Sequence, residues 1–179
     1  FVAGGRIDSP PTIYGGLVLF GCADGRVYCL RDDDGELVWR FLAAPMDCRI
    51  GSFDQLESVW PVHGSVLVRD EVAYVTAGRS TYLDGGIRLY ALEPKTGKVL
   101  HQAVLEGPIP DIKTARDVAF YVPGANSDVL VSEGDHVYMR QKKLTPDLQE
   151  VPVPVLSSNS RDSSGSFRNS RGGLCPALL

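Results

Sequence analysis

Cys29-Leu30-Arg31-Asp32-Asp33-Asp34-Gly35-Glu36-Leu37-Val38-Trp39 and Ala91-Leu92-Glu93-Pro94-Lys95-Thr96-Gly97-Lys98-Val99-Leu100-His101 are one phrase written twice. In each, apolar residues run into a polar turn that closes on glycine, and a second apolar run follows. Glycine at that position supplies the positive φ that tight turns demand, so each copy reads as a strand, a turn and a strand. The turn glycines Gly35 and Gly97 stand 62 residues apart. A second pair of stretches, Val66 to Tyr74 and Val129 to Tyr138, recurs at 63 residues with one extra residue before the tyrosine.

Working outward, Leu17–Cys22, the turn Ala23-Asp24-Gly25-Arg26 and Val27–Leu30 read as a hairpin, because Asp-Gly suits a two-residue type I′ turn. Glu36–Phe41 adds a third strand and Pro10-Pro11-Thr12-Ile13 a fourth, which completes one antiparallel sheet. Val72–Thr76, Ile87–Leu92 and Lys98–Val104 begin the next. No segment between them keeps a helical period. Four-stranded sheets repeated along a chain form a propeller or a similar array, and a closed ring needs about 4–8 blades. The fold expected is therefore all-β, an incomplete β-propeller of four-stranded antiparallel blades. Residues 1–156 hold about two to three of them, the third fading after Tyr138, and the remaining blades lie outside this chain. Ala43 to His63 reads as an insertion between blades. Ser157 to Leu179 holds seven serines, three glycines and three arginines in 23 residues and no β-branched residue, so a disordered tail is expected there.

The repeated phrase resembles the blade signature of pyrroloquinoline-quinone-like (PQQ-like) repeats, whose form is Ala-x-Asp-x-x-Thr-Gly-x-x-x-Trp. The first copy keeps Gly35 and Trp39. The second keeps Ala91, Thr96 and Gly97, softens Asp to Glu93 and carries His101 in place of Trp. The resemblance covers roughly residues 9 to 140 and is greatest to large bacterial propeller proteins of uncharacterised role found in planctomycete-like bacteria, within the quinoprotein alcohol dehydrogenase-like superfamily. It implies that Gly35, Trp39, Gly97 and His101 are structural positions that dock one blade on the next. It also implies an extracytoplasmic location, periplasmic or secreted.

The 179 residues are 44% apolar, enough to bury a real core, and carry a net charge of −4 from 18 basic and 22 acidic side chains. That balance offers no basic stripe for phosphates, so no nucleic-acid partner is expected. No run reaches the ~18 consecutive apolar residues of a spanning helix. The opening Phe1-Val2-Ala3-Gly4-Gly5 has neither an initiator Met nor the regions of a secretion signal, and reads as cut from a longer chain. Cys22, Cys29, Cys48 and Cys175 are too dilute for a disulfide scaffold. A two-residue turn at Asp24-Gly25 makes Cys22 and Cys29 diagonal neighbours on one face, about 7–8 Å apart, too far for a bridge.

Catalytic signatures are missing from the sequence: there is no phosphate loop, no nucleophile elbow and no His-Glu-x-x-His. His63, His101 and His136 lack a second ligand at metal-binding spacing. Asp32-Asp33-Asp34 lacks the spaced acidic positions of a calcium loop and reads as a solvated turn. The unusual polar stretch is Ala77 to Gly86, where a long loop replaces the tight turn of the first blade. Arg79, Tyr82 and Asp84, with Trp60 and His63 of the insertion, form the candidate pocket for a carbohydrate or a peptide. Its bland alternative is a hairpin tip closed by an Arg79 to Asp84 salt bridge. Two functions follow. The first is a non-catalytic scaffold that binds a protein or another ligand and needs no cofactor. The second is a fragment of a PQQ- and calcium-dependent alcohol or sugar dehydrogenase, whose quinone and calcium require a complete ring.

Overall fold

The structure is a computed structural model that describes residues 1–52, 54–107, 129–140 and 142–152. The expected tail, 157–179, lies outside the described residues. All described elements are strands. β1 (Thr12–Tyr14), β2 (Leu17–Gly21), β3 (Arg26–Arg31) and β4 (Leu37–Leu42) form one antiparallel sheet in chain order. β5 (Arg49–Ser52) and β6 (Gln55–Ser58) pair only with each other. β7 (Leu67–Arg69), β8 (Val72–Ala77), β9 (Ile87–Leu92) and β10 (Val99–Leu105) form the second four-stranded sheet. β11 (Leu130–Glu133), β12 (His136–Met139), β13 (Lys142–Leu144) and β14 (Glu150–Val151) form the third. The third blade is thus a full meander and does not fade after Tyr138. The architecture is three blades of an incomplete propeller, with one hairpin inserted between the first two.

Strand alternation stacks the blades. Side chains of successive strand residues point to opposite faces, and the burial follows that rule. Leu19, Val27 and Cys29 of blade 1 meet Ala73, Val75, Tyr90 and Leu92 of blade 2 in one buried cluster, with Trp39 and Phe41 packed against it. The other face of blade 2, through Tyr74, Ile87, Leu89 and Ala91, meets Leu130, Val137, Met139 and Leu144 of blade 3. Each fully buried Leu, Val or Ile in these layers contributes about 1.5–3 kcal/mol by leaving water. A third cluster, Phe20, Cys22 and Tyr28, lies on the free face of blade 1 under the N-terminal segment. There Phe20 and Tyr28 stack at 5.5 Å and Phe1 sets its edge on both.

The turns of the repeated phrase share one hydrogen-bond pattern. Arg31 N–H donates to the Glu36 carbonyl at 2.9 Å and Gly35 N–H to the Arg31 carbonyl at 3.0 Å. Glu93 N–H likewise donates to Lys98 at 2.9 Å, and Gly97 N–H to Glu93 at 2.8 Å. Gly35 and Gly97 hold φ of 72° and 71°. The Asp triplet is a charged turn, as its position implied: Arg31 reaches Asp33, Asp34 and Glu36.

The β2–β3 turn corrects the sequence reading. Leu19 pairs with Cys29, Phe20 with Tyr28 and Gly21 with Val27, one step away from the expected register. Asp24 is the cause. Its buried carboxylate accepts Arg26 N–H at 3.0 Å and the Tyr28 hydroxyl at 2.5 Å, which holds open a longer turn closed by Gly25 N–H on the Cys22 carbonyl. A one-residue slip moves a side chain to the other face. Cys22 therefore lies in the cluster under the N-terminal segment, Cys29 lies between blades 1 and 2, and both are free thiols.

Candidate functional site

The β2–β3 turn, the β8–β9 loop and the segment joining blade 1 to blade 2 come together at one end of the sheets. The inserted hairpin is fastened there by backbone bonds: Ser58 N–H donates to the Ala23 carbonyl at 2.7 Å, and Val62 N–H, just after it, to the Cys22 carbonyl at 3.1 Å. An isolated two-stranded hairpin is marginal in water. This one is braced by charge.

Glu57, at the end of β6, is 4% exposed. Its carboxylate accepts from Arg79 of the β8–β9 loop through one oxygen and from Arg6 at 3.4 Å through the other. A buried carboxylate is tolerable only when paired and hydrogen-bonded, which two guanidinium groups achieve. Arg6 also grips Asp8, and Asp8 meets His63 Nδ1 at 2.6 Å. Burial pushes the Asp8 carboxyl up, but hydrogen bonds from Arg6 and His63, with their charges, outweigh it and hold the group below its ordinary value. The chain of contacts runs Arg79, Glu57, Arg6, Asp8, His63, joining the start of the chain, the hairpin, the interblade linker and the β8–β9 loop. Trp60 adds a second tie between the insertion and that loop, since its indole N–H donates to the Asp84 carbonyl at 2.7 Å.

Of the candidate pocket residues, the structure brings Trp60, Arg79 and Asp84 onto the same hairpin-to-loop junction. His63 joins them through Asp8 and Arg6, and Tyr82 sits half-buried in the loop. The Arg79 to Asp84 salt bridge is not formed: Arg79 pairs with Glu57, and Asp84 contributes its backbone carbonyl. Arg6, Asp8 and Glu57 were missed as site residues because their pairing spans tens of residues and follows no sequence period. The one signal was an arginine in an irregular loop, which needed an acidic partner from somewhere.

On the opposite rim stand Gly35, Trp39, Gly97 and His101, of which Trp39 and Gly97 meet across the contact between blades 1 and 2. Trp39 donates its indole N–H to the Pro94 carbonyl at 2.9 Å and covers Gly97, where an added Cβ would sit 2.7 Å from Trp39 Cδ2. His101, the corresponding residue of blade 2, is exposed and places Nε2 3.4 Å from Asp147 Oδ1 in the β13–β14 turn. Gly35 makes the matching turn of blade 1. Among the described residues no group of three or more His, Cys, Asp or Glu side chains gathers where an ion would sit. No helix among them is long and apolar enough to cross a membrane.

The blades, their repeated turns and the interblade docking define a PQQ-like β-propeller module. The family model described as outer membrane protein assembly factor BamB matches residues 2–138, and the chain belongs to that family. Three solved structures show similarity. A europium-containing methanol dehydrogenase is 19% identical with a TM-score of 0.44, over 57% of this chain and 16% of that one. A quinohemoprotein alcohol dehydrogenase from Pseudomonas putida HK5 is 18% identical with a TM-score of 0.42, over 52% of this chain and 12% of the other. BamB from Moraxella catarrhalis is 17% identical with a TM-score of 0.32, over 84% of this chain and 50% of that one. The chain thus spans at most half of these proteins. No curated protein matches it, and a planctomycete-like source has no support in these matches.

Proposed function

We propose that this chain is a non-catalytic part of a propeller that holds a protein partner on its hairpin-bearing end, outside the cytoplasm. The observation that carries the reading is the inserted hairpin. Its two strands pair with nothing else, it presents Leu56 at 66% and Met46 at 58% exposure, and it is braced at its base by Glu57 and Trp60. A projecting element already held in place loses little conformational freedom on binding, and unpaired strand edges accept an extended peptide. A peptide fits better than a carbohydrate. The indole N–H of Trp60 is occupied by Asp84 and the Arg79 guanidinium by Glu57, so the junction offers little of the polar fork a sugar requires. The family's description as an outer membrane assembly factor supports an envelope location.

The runner-up, a dehydrogenase fragment, needs a quinone and calcium. The described residues gather no acidic ligand set of the kind such an ion takes.

The test pans the purified chain against a random-peptide phage library. Enriched peptides are expected to lose at least tenfold in affinity for a Leu56→Asp variant and to keep it for Val104→Asp on blade 2. Peptides indifferent to Leu56, or saturable quinone binding with calcium-dependent dye reduction, would overturn the reading.

A further inference from the structure

The inserted hairpin has two edges, and they are not equally open. Its register pairs Arg49 with Ser58, Ile50 with Glu57 and Gly51 with Leu56. Just below these pairs, Val59 N–H donates to the Cys48 carbonyl at 3.0 Å. Bonded and non-bonded pairs alternate along an antiparallel ladder. Cys48 and Val59 are a bonded pair, so Ile50 bonds to Glu57 inside the hairpin, while Arg49, Gly51, Leu56 and Ser58 turn their backbone N–H and C=O groups outward. On β6 that outward edge runs toward blade 1, where Ser58 N–H is taken by the Ala23 carbonyl. On β5, no backbone group among the described residues bonds to the outward groups of Arg49 and Gly51, and both residues are exposed.

Side chains decide what such an edge accepts. Arg49, Gly51 and Leu56 share one face of the hairpin, since alternate residues of a strand point the same way and opposite residues share a side. Gly51 is bare, and a Cβ built there would meet nothing within 4 Å. Its φ lies outside the left-handed region, so no turn demands a glycine. A glycine inside a strand weakens it and suits a place where another backbone approaches closely. Here Gly51 and exposed Leu56 border a shallow hollow with Ser52, Asp54 and Gln55.

Arg49 gives the edge its charge. Its Nε lies 3.5 Å from Asp47 Oδ1, while Arg26 holds the other oxygen of Asp47 at 3.0 Å. One carboxylate is thus shared between two guanidinium groups, and the more exposed of the two, Arg49, can take a carboxylate of its own.

We infer that the partner docks as a strand added antiparallel to the outer edge of β5, with an aromatic residue opposite Gly51 and an acidic residue opposite Arg49, two positions later in the partner's chain. The ring covers the bare glycine and leans toward Leu56, which stands about 10 Å away across two strand spacings. The carboxylate pairs with the Arg49 guanidinium. The outward N–H and C=O groups of Gly51 and Arg49 bond to the backbone of those same two partner residues. The inference rests on the reading of the hairpin as a partner surface and names the strand that fits it.

The probe is an acetylated nine-residue peptide of alternating serine and threonine, with tyrosine fourth and glutamate sixth, titrated to millimolar concentration into the isotope-labelled chain. Amide exchange is expected to slow at Arg49 and Gly51 and to stay unchanged at Ile50, whose N–H points into the hairpin. Methylating the backbone nitrogen of the tyrosine or the glutamate, each of which faces the edge, is expected to weaken binding about tenfold or more. The same change on the residue between them, whose N–H points away, is expected to leave affinity within about twofold. Gly51→Val has room for its side chain and is expected to erase the preference for tyrosine over alanine in the peptide. Arg49→Glu is expected to reverse the charge preference, so that lysine in place of the peptide's glutamate restores binding. Exchange at Arg49 and Gly51 that does not slow, N-methylated peptides that bind alike, or a Gly51→Val chain that still prefers tyrosine would overturn the added strand. The partner surface would then still stand if panned peptides depend on Leu56, whereas peptides indifferent to Leu56 would remove the surface and the strand together.

Discussion

Replacing Trp39 with Ala probes the blade-to-blade contact directly. An aromatic of this size buries roughly 150–250 Å². Trp39 is partly buried, so about 150 Å² leaves water, worth about 4 kcal/mol at 25 cal/mol/Å². Ala retains about 1 kcal/mol of that, the lost hydrogen bond to Pro94 adds about 1 kcal/mol, and the freed rotamers return somewhat less. The rim position lets water refill the gap, which keeps the cavity contribution small. The net is about 3 kcal/mol, at the low end of the ~3–5 kcal/mol usual for removing a buried Trp. Trp39→Phe keeps most of the area and is expected to cost about 1 kcal/mol.

Gly97→Ala sharpens the test. A Cβ 2.7 Å from the indole crowds it in the native chain, adding about 1–3 kcal/mol to the ~1–2 kcal/mol of backbone strain at positive φ. In the Trp39→Ala background only the strain remains. Urea unfolding followed by far-ultraviolet circular dichroism gives all four stabilities. A Trp39→Ala loss below about 1 kcal/mol, or a Gly97→Ala cost identical in both backgrounds, would refute the reasoning.

Tyr28→Phe removes the hydroxyl that satisfies buried Asp24 and accepts Gly4 N–H, so a loss of about 1–2 kcal/mol in urea unfolding is expected, with faster amide exchange at Gly4. Burial raises the Cys22 and Cys29 thiols to about 11, so brief iodoacetamide treatment near neutral pH, read by peptide mass spectrometry, is expected to alkylate exposed Cys48 and spare those two until the chain unfolds. Because the folded Asp8 value is depressed, its contribution is full above its ordinary value of about 4 and fades as pH falls through the folded one. The stability gap between the native chain and Asp8→Asn is accordingly expected to shrink in acid, which stability measurements from pH 7 downward check. Glu57→Ala is expected to speed amide exchange across Arg49–Ser58 while leaving the blade strands protected, since only the hairpin depends on that carboxylate.

The strands of the repeated phrase were legible because their causes are local. Alternation, a turn glycine and the apolar runs around it sit within a dozen residues, and Ile87–Leu92 matches the sequence reading residue for residue. The β2–β3 register was not legible, because Asp24 acts through Tyr28 and Arg26 from inside the sheet, while Asp-Gly by itself signals a shorter turn. The last two strands of blade 3 escaped notice for a different reason. Lys142-Lys143-Leu144 and Glu150-Val151 show almost no alternation, and Leu144 and Leu148 alone carry their burial. The candidate site was legible in its outline, the long loop and the insertion. Its pairing was not, since the partner of Arg79 lies 22 residues upstream on a hairpin.

The two ends of the blades are under different constraints. At the docking end, the blade 2 turn presents a backbone carbonyl and a bare glycine to Trp39, and the blade 3 turn a carboxylate oxygen to His101 beside left-handed Leu148, so the short turn and its left-handed position are kept. At the hairpin end the connection from blade 1 to blade 2 takes in the whole of Ala44 to Trp60, where about two residues suffice for a tight turn. Lengthening a flexible connection about eightfold raises its closure cost by only about 2 kcal/mol. The Trp60 bond to Asp84 and the Glu57 pairings, at about 1 kcal/mol each, are enough to offset it. Insertion at this end is therefore nearly neutral for the fold, and the residues that neutralise it, Glu57, Arg79, Arg6 and Trp60, hold the inserted hairpin in one position. What makes the insertion tolerable also holds its exposed side in one position, which is what the proposed partner surface requires.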